Sequence, residues 1–256
     1  MYNKIKCTGK IPSFMRKENI CAIYKGCGQT SDLESDRGIF LVSIFRTILM
    51  TMIYNDKYDT IDKSMSDSNI GARKAKNIIN HIFVVNTIIH DVLNKKANDP
   101  IDIMVLDYKQ MFDSECLFEV MNDLYEAGVD DDKFGLIYEA NRENYVAVMT
   151  PNGISRREVF EEIVMQGDVL APLLSSLQVD TIGKECLEEG KLLYHFKNIV
   201  SIPPLGLVDD LITISTCGLN TTKFNEYIKI KSGLKSCMWV RLAMKLYART
   251  FQDSRC

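Results

Sequence analysis

The 256-residue chain is 46% hydrophobic and 25% charged, with a formal net charge of −3, enough apolar content to bury the core of one large domain or two small ones. Its apolar segments 38–45 and 47–54 are interrupted by Arg46 or end at Asn55-Asp56-Lys57, and Met1 leads into polar and basic residues; neither a membrane-spanning helix nor a secretory signal is expected, and the chain reads as intracellular, in nucleus or cytoplasm. Eight cysteines, at 7, 21, 27, 116, 186, 217, 237 and 256, form no Cys-x-x-Cys pair and stand apart from His81, His90 and His195, which argues against structural zinc and for reduced thiols, several of them packed in the core.

In chain order, Lys25-Gly26-Cys27-Gly28-Gln29-Thr30-Ser31-Asp32 makes a glycine-containing loop, followed by Asp36-Arg37-Gly38-Ile39. The loop lacks the Gly-Lys-Ser/Thr ending of a P-loop. Apolar residues recur at helical spacing from Val42 to Lys63, and Ser66-Asp67-Ser68-Asn69 supplies turn and cap residues. A second helix is predicted from about Ala75 to Asn94, with Ile78, Ile79, Ile82, Val85, Ile88, Ile89 and Val92 on a broad apolar face. An apolar strand, Ile101 to Leu106, ends on Asp107. A helix from Ser114 to Ala127 closes at Gly128, in keeping with a glycine one past the helix end. Another follows from about Asp131 to Arg142, with Asp130-Asp131-Asp132 as its solvated start. Tyr145 to Met149 alternates as a strand, Pro151-Asn152-Gly153 turns, and Arg157 to Met165 returns as its partner. Asp168 to Glu189 is helical with Gly190 at its end, and Leu192 to Phe196 and Leu205 to Ser215 read as short strands, the latter folded about Asp209-Asp210.

Three runs in this order carry chemistry: Leu106-Asp107-Tyr108-Lys109-Gln110-Met111-Phe112-Asp113, Gln166-Gly167-Asp168-Val169-Leu170-Ala171-Pro172-Leu173-Leu174, and Leu207-Val208-Asp209-Asp210. Alone, each is ordinary, since an Asp-Asp after an apolar run is most often a strand end or turn. Their order suggests a polymerase palm. Carboxylates at strand ends, gathered by strand pairing, are what two divalent ions need to clamp the attacking and leaving oxygens of phosphoryl transfer. The short stem and hard oxygens of Asp suit Mg²⁺. Charge is divided accordingly: residues 1–76 carry +5, residues 77–222 carry −14 and residues 223–256 carry +6. An acidic middle between basic flanks suits a cation-holding centre between segments that grip phosphate.

These runs resemble the motifs of reverse transcriptases, most closely those of non-LTR (LINE-like) retrotransposons and more distantly those of group II introns. There the first motif reads roughly Leu-Asp-Phe-x-x-Ala-Phe-Asp, the second Gln-Gly-x-x-Leu-Ser-Pro-Leu-Leu, and the third aromatic-x-Asp-Asp. The resemblance extends from about Ile11 to about Gly218. It implies an α+β fold, a palm with an antiparallel sheet and helices on one face, plus a partly helical fingers region. The corresponding divisions are a fingers-like region at 1–100, a palm at 101–222, and an atypical basic tail at 223–256 where the family continues into further strands and a helical thumb. It implies an RNA-directed DNA polymerase that extends a DNA primer on an RNA template with deoxynucleoside triphosphates. Two Mg²⁺ ions, with Mn²⁺ as the alternative, would be held by Asp107 and Asp209, with Asp210 as auxiliary acid. By the same resemblance Phe112 closes the sugar pocket, Gln166 and Gly167 contact template and incoming nucleotide, and Lys25, Arg37 and Arg73 are the candidates for phosphate contacts. Leu207 replaces the family's Tyr or Phe, losing aromatic packing against the primer, and Ala171 replaces a Ser hydroxyl; neither removes a metal ligand. A truncated, inactive remnant that binds nucleic acid or protein is the alternative, and a frameshift or missplice near Lys235 would account for the tail.

Overall fold

The computed structural model describes residues 1–26, 28–29, 35–94, 101–108, 111–162, 164–188, 193–197, 199–215 and 237–240, with the side chains at 107, 108, 113, 114, 131, 186, 188 and 237–240 outside the description. The expected helix end at Gly190, the strand start at Leu192 and most of the 223–256 tail therefore lie outside the described residues. In chain order the elements are α1 (Tyr2–Thr8), β1 (Lys17–Tyr24), β2 (Asp36–Leu41), α2 (Ile44–Ser64), α3 (Ile78–Asn94), β3 (Asp102–Tyr108), α4 (Met111–Ser114), α5 (Leu117–Glu126) and α6 (Asp131–Asn141). There follow β4 (Arg142–Thr150), β5 (Gly153–Ile154), β6 (Glu158–Glu162), α7 (Ala171–Glu188), β7 (His195–Phe196), β8 (Val200–Ser201), β9 (Leu205–Leu207), β10 (Asp210–Ser215) and β11 (Cys237–Val240). The fold is α+β. It divides into two units, each assembled from two stretches of chain: Met1–Ser64 with Gln110–Leu177, and Met65–Lys109 with Gln178–Cys256.

The first unit is built on a mixed sheet in the order β2-β1-β4-β5, with β6 also paired to β4. In this sheet β1 runs parallel to β4 from Lys17↔Tyr145 to Cys21↔Met149; the antiparallel sheet expected around the acidic runs is that of the second unit. Neither β1 nor β2 has a clean alternation of buried and exposed residues, so no period-2 pattern in the sequence marks them as strands. The helix expected over 114–127 is broken at Glu115-Cys116 into α4 and α5, since Cys116 takes an extended conformation as the cap residue of α5. Gly128 does follow the helix in the left-handed region, at φ 83°, and Asp130 caps α6 by accepting from the Lys133 N–H at 3.2 Å.

The second unit carries an antiparallel sheet in the order β11-β3-β10-β9. One face packs on α3: Ile88 and Val92 meet Ile101, Ile103, Tyr194 and Ile214, with Val85 and Ile89 alongside. Each such buried side chain contributes roughly 1.5–3 kcal/mol of transfer free energy. α3 starts three residues later than expected, because Ala72 and Ala75 have positive φ and Asn77 accepts from the Ile79 N–H at 3.0 Å as a cap. Its first turns do not join the core; Ile78, Ile79 and Ile82 are exposed. In the tail, where no strand is expected, Cys237–Val240 pairs along β3.

Candidate active site

Strand pairing brings the acidic positions of the first and third runs together. β3 and β10 are antiparallel over six residues, in a register that sets Asp210 opposite Asp107 and Ile214 opposite Ile103. Opposed residues of an antiparallel pair have Cβ atoms about 4.5–5.5 Å apart. β9 and β10 close a hairpin with Asp210 opposite Leu207, leaving Val208 and Asp209 as its two-residue turn. Asp107, Asp209 and Asp210 thus share one end of one sheet. Asp209 and Asp210 are half-buried, and the side chain of Asp107 lies outside the described residues. Among the described residues no group of three His, Cys, Asp or Glu side chains forms a metal-holding cluster.

The turn itself is strained. Val208 has φ 54°, while Asp209 is absent from the positive-φ residues, so only the first turn position is left-handed, the pattern of a type II′ hairpin that normally takes glycine there. A β-branched residue in that region is a genuine outlier costing about 1–3 kcal/mol. The surroundings hold it. Gly206 N–H donates to the Ser68 carbonyl at 3.0 Å and the Gly206 carbonyl accepts from Ile70 N–H at 2.9 Å, so the 68–70 segment lies along β9. A Cβ at Gly206 would come within 3.2 Å of the Asn69 side chain.

That bracing segment is itself pinned. Buried Asp180 on α7 accepts from the Ser66 N–H at 3.0 Å and from the Ser66 hydroxyl, and it pairs with Lys184 at 2.9 Å. His81 Nε2 lies 2.9 Å from the Ser68 carbonyl, and burial lowers its pKa from the ordinary value against that hydrogen bond. Arg73, a phosphate-contact candidate, donates through Nη1 to the carbonyls of Ser66 and of Asn69, the latter at 2.8 Å. The structure therefore gives Arg73 a direct role in holding the loop beside β9.

The remaining candidates belong to the first unit. Lys25 and Arg37 are exposed on the β1–β2 hairpin, where Arg37 is the register partner of Ile23 and the Lys25 N–H donates to the Ser35 carbonyl at 2.8 Å. Phe112 is half-buried on α4. Gln166 and Gly167 are locked against β2: the Gln166 carbonyl accepts from Phe40 N–H at 3.0 Å, and Gly167, at φ 122°, has its Cβ direction 2.6 Å from the Phe40 carbonyl oxygen. Only glycine fits there.

Beneath this turn lies a buried network that no run of the sequence announces. Arg46, fully buried on α2, donates from Nε to Asp168 Oδ2 at 2.8 Å, from Nη2 to Asn141 Oδ1 at 3.1 Å, and from Nη1 to Asn144 Oδ1 at 3.2 Å and to the Ala140 carbonyl. Asp168 in turn accepts from the Leu170 N–H at 3.1 Å at the entrance to α7. Glu18, also buried, accepts from Ser43 N–H at 2.8 Å; burial raises its carboxyl pKa, opposed by the charge of Arg46. The available signal was Arg46 itself, because a cation within an apolar helical run requires a buried acceptor set.

No family model matches the chain, and no curated protein matches it. Among solved structures it is similar to apo telomerase from Candida tropicalis, with 13% identity and a TM-score of 0.58 over 91% of this chain and 45% of that one. It is also similar to a form of that enzyme truncated from the C-terminal domain, with 14% identity and a TM-score of 0.53 over 90% and 51% of the respective chains. A third similar structure is Candida tropicalis telomerase in complex with a TWJ fragment of telomeric RNA, with 15% identity and a TM-score of 0.55 over 90% and 42%. The chain spans about half the length of the telomerase structures it matches. The likeness is one of fold, shared with the matched part of these telomerase chains.

Proposed function

We propose that the chain is the catalytic core of an RNA-directed DNA polymerase, of non-LTR retrotransposon type by its motifs, with fingers at 1–100 and palm at 101–222. The observation that carries this reading is the β3–β10 register, Asp107 opposite Asp210 with Asp209 in the adjoining turn. The donor set fits the ions expected of such a site, since three aspartates offer only hard oxygens, suited to Mg²⁺ and also to Mn²⁺. Two such cations, when bound, supply charge neutralisation at the attacking and leaving oxygens of phosphoryl transfer.

In this reading the protein's own part is positioning and exclusion. Lys25 and Arg37 on the exposed hairpin hold the triphosphate of the incoming deoxynucleotide. Phe112 restricts the sugar to one without a 2′-hydroxyl. The Gln166-Gly167 turn presents backbone to template and nucleotide, and its rigidity follows from Phe40 and from Asp168 held by Arg46. The telomeric RNA fragment bound by a structurally similar telomerase supports RNA as a partner, and the motif resemblance makes it the template. A DNA primer 3′-hydroxyl is the acceptor.

The test is primer extension by the full chain on an RNA template with a DNA primer, with and without Mg²⁺. Wild type is expected to extend only with the ion. Asp209→Asn is expected to abolish extension while melting within a few degrees of wild type. Undiminished Mg²⁺-dependent extension by that variant refutes the reading.

A further inference from the structure

A groove between α5 and α6 in the first unit takes no part in the chemistry above. α5 turns Leu117, Val120, Met121 and Leu124 inward, yet Phe118 and Tyr125 are 75% and 66% exposed at positions where an amphipathic helix ordinarily carries polar residues. Positions 118, 121, 122 and 125 fall on one side of the helix. α6 supplies the facing wall with Phe134 and Tyr138, and Tyr125 meets Phe134 edge to face with centroids 6.2 Å apart. The space between has a volume of about 370 Å³. A second space of about 380 Å³ shares Tyr138 and Glu162 with it and continues along β6.

Charge selects what such a groove can hold. Glu143, Glu161 and Glu162 line it, against Arg142 as the one cationic residue of its lining. Arg142 is already engaged, 2.9 Å from Glu143 and 3.5 Å from Glu139, whereas Glu161 and Glu162 meet no cation among the described residues. Phosphate is repelled here, so nucleic acid is disfavoured. Arg142 lies over the Tyr138 ring at 5.6 Å, the geometry in which an aromatic face attracts a guanidinium. β6 is exposed along its whole length and, among the described strands, pairs only with β4, which leaves an edge to which an extended segment can add.

We propose that this groove docks a basic, extended peptide segment of a partner protein. An aromatic or aliphatic side chain seats between Phe118, Tyr125 and Phe134, and flanking Arg or Lys side chains meet Glu161 and Glu162. The docking does not depend on whether the chain polymerises nucleotides.

The test is fluorescence anisotropy of the full chain with a labelled pool of octapeptides in which arginine alternates with Phe, Leu, Trp or Tyr, beside the same pool with glutamate for arginine and a labelled single-stranded RNA. Saturable binding of the arginine pool is expected, weakened about tenfold or more by Phe118→Asp with Tyr125→Ser and, independently, by Glu161→Lys with Glu162→Lys. All four side chains are exposed, and circular dichroism verifies that both double variants stay folded. The proposal is overturned if the arginine pool does not bind saturably, if the glutamate pool binds equally well, if neither double variant weakens binding, or if RNA competes for the same residues. It is also overturned if the wild type self-associates and the Phe118 variant does not, which would make a second copy the occupant.

Discussion

Val208 is the strained residue of the β9–β10 turn, and its φ of 54° has a direct energetic consequence. Val208→Gly is expected to stabilise the chain by about 1 kcal/mol in urea denaturation, relief of the left-handed valine outweighing the added freedom of glycine in the unfolded chain; a loss of stability would mean that the turn is not strained. Glu115 offers a second test. Its carboxyl is buried, and that burial pushes its pKa up to about 8, with nearby Asp123 adding to the shift and Ser175 moderating it, although neither Glu115 oxygen nor the Ser175 hydroxyl meets hydrogen-bond geometry with a partner. The fold therefore prefers the protonated acid. This contribution is complete below the ordinary value of 4.5 and is lost as pH rises through about 8. Glu115→Gln is expected to abolish a fall in stability on the order of 3 kcal/mol between about pH 5 and pH 8, read from denaturant midpoints across that range. An unchanged pH profile in the variant would contradict the assignment.

Among the elements, β3 and the β9–β10 hairpin were legible because an apolar run ending in aspartate has few ways to fold, and helices α2, α5, α6 and α7 announced themselves through periodicity and caps such as Asp130 and Gly128. The parts that were not legible share a cause: they depend on partners distant in sequence. β1 is a strand because β2 and β4 flank it, not because its own residues alternate. In the sequence Arg46 merely interrupts two apolar segments, and only the fold reveals Asp168, Asn141 and Asn144 around it. Arg73 is a phosphate-contact candidate by resemblance, yet it clamps the loop along β9. For α3 the outcome is quantitative. Ile88→Ala removes a side chain that bridges the helix to β3 and β10 and is expected to cost about 2–5 kcal/mol in thermal or urea unfolding, whereas Ile79→Ala, at an exposed position, is expected to cost less than about 1 kcal/mol. Equal effects would show that the helix packs through its other face.

At the scale of the molecule, each unit is stitched from two separated stretches of chain, and buried polar contacts join them. Arg46 ties α2 to Asp168 within the first unit, and Asp180 ties α7 to Ser66 within the second. Arg46→Met leaves Asp168 buried without its cation and is expected to destabilise the chain by about 3–5 kcal/mol, while adding Asp168→Leu recovers part of the loss; additive losses in the double variant would contradict a direct pairing. The account of function rests on a narrower point, that Asp107, Asp209 and Asp210 together hold divalent cations. Iron-mediated cleavage measures this directly: the full chain is loaded with Fe²⁺ in place of Mg²⁺, treated with ascorbate and peroxide, and its cut sites mapped by mass spectrometry. Cuts beside both Asp107 and Asp209-Asp210, suppressed by excess Mg²⁺ and lost in Asp209→Asn, are the predicted result; cleavage at only one of the two, or at neither, would contradict it.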